Sequence, residues 1–94
     1  MSRVEELVKT GATIIDIRSP EKFLKAHATA SLNIPFDDIP CSLQTIKSIR
    51  GPILVCCSKG VLSEKVACYL EIAGIEAYNA GPWTRIAAIR NQEL

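Results

Sequence analysis

The chain has 94 residues, 48% of them hydrophobic, with 11 lysines and arginines against 10 aspartates and glutamates. That length predicts one domain over residues 1–94 with a small but adequate core and no room for a second. A net charge of +1 provides no electrostatic footprint for nucleic acid or an acidic membrane, so a bound anion would have to be held locally.

The N-terminal stretch lacks the apolar core of a secretory signal, and no window approaches the roughly 18 uncharged apolar residues of a spanning helix. A cytoplasmic protein is expected, with Cys41, Cys56, Cys57 and Cys68 reduced. There is no Cys-x-x-Cys pair and only one histidine, His27, so a tetrahedral metal site is not expected.

In chain order, Ser2 and Glu5 fit a capping box for a short helix whose apolar face is Val4, Leu7 and Val8 and whose end is Gly11. "ATIIDI" (12–17) is a continuous apolar run rich in β-branched residues, the pattern of a strand buried on both faces, with Asp16 and Arg18 at its carboxyl end. Ser19-Pro20 starts a two-turn helix through "EKFLKA". "SLNIP" reads as a short strand ended by Pro35, and "SLQTIKSI" as a helix with Leu43, Ile46 and Ile49 on one face, closed by Gly51-Pro52.

"ILVCC" (53–57) is the second buried strand. "SEKVACYLEIAG" is the clearest helix, with Ser63 as its N-cap and Gly74 at its end. "IEAYN" reads as a last strand, "AGPW" as a turn and "TRIAAIRNQEL" as a terminal helix. Strands alternating with helices predict a three-layer α/β domain, with a four- or five-stranded parallel sheet covered on both faces. In such sheets sites form where strands end and helices begin.

"CCSKGVLS" lies at one of those junctions. A tight turn from a strand into a helix aims backbone N–H groups inward, and such donors favour negative charge. A thiol at Cys57 would be stabilised as thiolate there, since helix N-termini and nearby cations bring a cysteine pKa from about 8.5 into the range of roughly 3.5–7.5. Lys59 is the only cation within the loop, and Gly60 suits a backbone that curls around one atom. Read without that context, Cys56 and Cys57 would be small apolar residues ending a buried strand.

From Thr13 to Trp83 the chain resembles the rhodanese-like sulfurtransferases. "DIRSPEKFLKAHATASLNIP" is similar to that family's Asp-x-Arg-Ser-x-x-x-Phe/Tyr, His and Asn-Ile-Pro segment, and "CSKGVLS" to its active loop, Cys-x-x-Gly-x-Arg-Ser. The resemblance implies that Cys57 is the nucleophile that carries sulfur as a persulfide. It also implies that the amides of Ser58, Lys59, Gly60, Val61, Leu62 and Ser63 bind the anionic sulfur. Cys56 falls outside the loop, at a strand position, and a disulfide between neighbouring residues would strain the backbone.

Several residues depart from the family pattern. Leu62 stands where many active members have arginine, which removes a bidentate anion contact that Lys59 can replace only as a point charge. Ala26 and Ala30 replace glycines that commonly flank the histidine motif, and Lys22 stands where an acidic residue is frequent. Asp16 and Arg18 would support the site by orienting the active loop, or would form a structural pair at a strand end. His27 reads as a hydrogen-bonded structural residue and Trp83 as a core or rim aromatic.

The resemblance implies an enzyme that moves sulfane sulfur from thiosulfate, a small sulfur-containing anion, or from a persulfide donor. The acceptor would be cyanide or a thiol, protein thiols included. No metal or organic cofactor, nucleic acid or membrane enters. The alternative is a binding or redox-sensing module of low turnover on the same fold. A phosphatase is disfavoured, because related phosphatase loops are one residue longer and end in arginine where this chain has Ser63.

Overall fold

The structure is a computed structural model describing residues 3–91. Helix α1 spans Arg3–Lys9 and buries Leu7 and Val8; the cap expected at Ser2 lies outside the described residues. Strand β1 is Thr13–Asp16, and α2 is Pro20–Lys25 with the Ser19 side chain capping Lys22 N–H, as the Ser-Pro start predicts. Strand β2 contracts to Leu32–Asn33. Two 3-10 turns, Phe36–Asp38 and Pro40–Ser42, lead into α3, Leu43–Lys47. Strand β3 is Ile53–Cys57, α4 is Val61–Ile72, β4 is Ala77–Pro82 and α5 is Trp83–Asn91.

The four strands form one parallel sheet in the order β2-β1-β3-β4. Side chains alternate along a strand, so β1, β3 and β4 each supply both faces. Ile15, Ile53, Val55, Cys57 and Ala77 pack with Ile46 of α3 and with Val66, Ala67 and Leu70 of α4. Ile14, Leu54, Cys56 and Ala80 pack on the other face with Leu7 and Val8 of α1 and with Ile86 of α5. Each such buried aliphatic side chain contributes roughly 1.5–3 kcal/mol, which is why apolar runs with no polar alternation belong in a sheet covered on both sides. This three-layer arrangement is the one expected, with four strands.

Several boundaries differ from expectation, those around the cysteine loop most of all. Helix α4 begins at Val61, with Gly60 at the N-cap (φ 89°), so Ser63 lies inside the first turn and does not cap it. Only glycine adopts this left-handed geometry without strain, and a Cβ there would meet Gly81 Cα at 3.1 Å. Strand β4 starts two residues later than "IEAYN" implies and continues through Gly81-Pro82, so "AGP" is strand and Trp83 opens α5. The ladder explains the extension: Val55 pairs with Asn79 but Cys56 with Gly81, leaving Ala80 as a bulge that keeps the strand paired past its apolar part. At the far end of α4, Gly74 (φ 90°) closes the helix as expected, with Ile75 N–H bonded back to Leu70 C=O.

All four carboxyl ends lie along one edge of the sheet. From the central pair β1 and β3 the chain departs in opposite directions, toward β2 and β4, which opens a crevice above their ends.

Candidate active site

A cavity of about 620 Å³ occupies that crevice. Its walls come from the segments that follow three strands: Ile17 to Lys22 after β1, Pro35 to Asp37 after β2, and Cys57 to Leu62 after β3. The wall is mostly apolar, with Pro20, Phe36, Val61 and Leu62 on it; Val61 and Leu62 are exposed at its mouth. Lys22 and Lys59 line it as cations and Asp37 as an anion.

Cys57 is 6% exposed, and its sulfur sits inside the turn that follows β3. Gly60 N–H donates to Sγ at 3.0 Å, and the thiol donates to Ser63 Oγ at 3.2 Å. Burial pushes the thiol pKa up. Hydrogen bonds from the Ser63 side chain and from the amides of Ser63, Gly60 and Lys59 outweigh that effect, and the thiol lies below its ordinary value. These amides are donors that a helix start leaves without intrahelical partners. Of the residues read as an anion cradle, the structure brings Lys59, Gly60 and Ser63 onto the sulfur. Ser58, Val61 and Leu62 instead line the cavity.

Cys56, one residue earlier, points to the opposite face of the sheet. Burial, then the charge of Asp16, pushes its thiol up to about 12, so it stays protonated and packs as an apolar residue. Cys41 and Cys68 are exposed and not paired in a disulfide. Cys68 is held above its ordinary value by its hydrogen bond to Glu64. Among the described residues no cluster of three or more His, Cys, Asp or Glu could hold a metal, and no helix is long and apolar enough to cross a membrane.

Asp16 and Arg18 form a buried forked pair, with Nη2 2.8 Å from Oδ2 and Nε 3.0 Å from both carboxylate oxygens. Arg18 also donates to Ala26 C=O and lies 4.4 Å over the Trp83 ring. Asn33 ties β2 to this corner by donating to the carbonyls of Asp16 and Arg18. The pair's hydrogen bonds thus run among β1, β2 and the segment after α2, and Arg18 reaches the site as cavity wall. The link to the cysteine strand is Ile17 N–H to Cys56 C=O at 3.0 Å. His27 stacks on Phe23, with its Nδ1 2.7 Å from Phe23 C=O, in keeping with a structural role.

Sequence reasoning missed Asn79. Its Oδ1 accepts from Ser63 Oγ (2.7 Å) and Gly81 N–H (2.9 Å), and its Nδ2 donates to Gly60 C=O (3.0 Å) and Glu64 Oε2 (3.2 Å). The available signal was an asparagine within a strand, where that residue is depleted unless its amide has partners.

Fold and site together define an α/β domain that presents one activated thiol in a helix-entry loop above a parallel sheet. The family model of the rhodanese-like domain matches residues 1–83, and the chain belongs to that family. It is 38% identical over 63 residues to a thiosulfate sulfurtransferase GlpE of Tolumonas auensis, a match covering 67% of this chain and 58% of that protein, less than two thirds of its length. It is 30% identical over 78 residues to the GlpE of Ectopseudomonas mendocina, covering 82% and 71% respectively. The crystal structure of a rhodanese-like domain protein from Staphylococcus aureus matches with a TM-score of 0.75 at 27% identity, over 88% of this chain and 86% of that one.

Proposed function

We propose that this protein is a sulfurtransferase that carries sulfane sulfur on Cys57, as one domain over residues 1–94. The observation that carries the reading is the seat of Cys57 Sγ: the Gly60 amide and the Ser63 hydroxyl meet it and draw its pKa below the ordinary thiol value, and it faces the cavity. The names of the relatives support the class of chemistry.

The reaction has two displacements. The Cys57 thiolate attacks the outer sulfur of a persulfide or the sulfane sulfur of thiosulfate. A new S–S bond forms as the donor's S–S bond breaks, and the electron pair leaves with a thiolate or with sulfite. The terminal sulfur of the Cys57 persulfide is then attacked by a thiol or cyanide, which returns the Cys57 thiolate. Neither step needs an external oxidant or reductant. The amides of Lys59, Gly60 and Ser63 serve the anionic sulfur as an oxyanion hole serves oxygen.

The cavity favours an organic persulfide over thiosulfate. The charge of Arg18 is consumed by Asp16, Leu62 offers no N–H fork to a sulfonate, and Lys22 and Lys59 meet one only as point charges. The remaining wall is apolar enough to hold a carbon-bearing leaving group. Intact mass spectrometry after incubation with thiosulfate or with an organic persulfide tests the reading: the protein gains one sulfur, and Cys57→Ser gains none. A protein that gains no sulfur from any donor is a binding module and refutes the enzyme.

A further inference from the structure

Asn79 lies on β4, outside the cavity wall, yet its side-chain hydrogen bonds reach the loop and first helical turn around Cys57 as well as Gly81 beside it. The orientation of its amide is forced. Gly81 N–H can only donate and Gly60 C=O can only accept, so exchanging Oδ1 and Nδ2 would break both bonds. The Ala80 bulge interrupts the ladder beside the loop, and Gly60 lies so close to Gly81 that a Cβ on Gly60 would come within 3.1 Å of Gly81 Cα.

Gly60 therefore has two anchors, its C=O on Asn79 and its N–H on Cys57 Sγ. If Gly60 rotated away from Asn79, its N–H would leave the sulfur. Ser63 is a second contact of Asn79. Its single proton goes to Asn79 Oδ1 while the thiol donates to Ser63 Oγ. When the sulfur ionises, that hydroxyl can turn to it, and Asn79 Oδ1 keeps the Gly81 N–H, so no acceptor is orphaned.

We infer that Asn79 is a positioning residue: it pins the Gly60 turn to β4, so that the Gly60 N–H meets the Cys57 sulfur in its thiolate and sulfur-loaded forms. The inference rests on Cys57 being the nucleophile. Charged groups facing the loop and cavity are Lys22 from α2, Asp16 of β1 paired with Arg18 just after it, Asp37 from the first 3-10 turn, Lys59 from the loop and Glu64 from α4, with Arg85 of α5 beside Gly81. Replacing Asn79 by a neutral residue leaves all these charges in place.

The test is iodoacetamide labelling of Cys57 against pH, located by peptide mapping, in Ser63→Ala and in Ser63→Ala/Asn79→Leu. Without the hydroxyl, only the Gly60 anchor is read. The labelling midpoint should rise by about one pH unit in the double variant, about tenfold less thiolate at a fixed pH below it. A purely structural role would lower the melting temperature of the double variant and leave its midpoint where Ser63→Ala puts it, which would overturn the inference. Should leucine prevent folding, Asn79→Ala in the native background is read by hydrogen exchange at Gly60 N–H: faster exchange supports the anchor, and unchanged exchange refutes it. Labelling needs no sulfur donor. A protein that shifts its midpoint but never gains sulfur refutes the proposed function and keeps Asn79, whereas one that gains sulfur with an unmoved midpoint refutes Asn79 alone.

Discussion

Replacing Leu62 by arginine adds a guanidinium at the mouth of the Cys57 cavity. Leu62 is 43% exposed and lines that mouth, so the longer side chain can enter without displacing the core. A hydrogen bond to a charged group contributes about 1.5–3 kcal/mol, and solvent at this half-open site screens it toward the lower end. About 1.5 kcal/mol corresponds to roughly a tenfold lower KM for thiosulfate, whose sulfonate would accept the new fork. A neutral organic persulfide has no sulfonate, so its KM should change less than about threefold. Steady-state kinetics with the two donors and a common acceptor measure this difference. Added salt should erode the gain for thiosulfate and leave the persulfide unaffected. A uniform loss with both donors would mean that arginine has disturbed the loop, and the account of Leu62 as the residue that sets donor preference would fall.

Cys57→Ser should reduce sulfur transfer by roughly three orders of magnitude or more, while Cys56→Ala keeps a substantial fraction, since the two thiols face opposite sides of the sheet; equal losses in two folded variants would contradict that division. The rate of Cys57 alkylation should rise with pH and level off at a lower pH than for an ordinary thiol, because its lowered pKa yields thiolate earlier, with Cys68 lagging; peptide mapping that places the first label on Cys41 or Cys68 would refute this. Cys56 has its pKa raised, so above the ordinary thiol pKa the unfolded chain releases a proton that the folded chain retains up to about pH 12. Stability should therefore fall with pH across that window, with a shallower fall in Cys56→Ala, as denaturant titrations at alkaline pH would reveal. Ala30 has φ 62° in the left-handed region, so Ala30→Gly should stabilise by about 0.5–1 kcal/mol and raise Tm by a few degrees, and a lower Tm by calorimetry would refute the strain.

Local chemistry made much of this protein legible from its sequence. Uninterrupted apolar runs at 12–17 and 53–57 require cover on both faces, and intervening helix starts such as Ser19-Pro20 require crossovers, so a parallel three-layer sheet follows without knowledge of any contact. Cys57 stood out too, because it ends a strand and a glycine and a helix follow it in order. The two adjacent thiols were separable by the loop, which begins at Cys57 and leaves Cys56 on the strand. Where α4 begins was not legible: Ser63 has the composition of a cap, and it becomes a partner of Cys57 because Gly60 can turn against Gly81, a residue that meets it only across the sheet. The extension of β4 depended on the ladder with β3 and its bulge, since a strand's end is set by its neighbour's hydrogen bonds as much as by its own residues. Asn79 belongs to the same category. A side-chain amide has no fixed direction until backbone groups from two other segments select one, and those groups, Gly60 C=O and Gly81 N–H, come together only in the folded molecule.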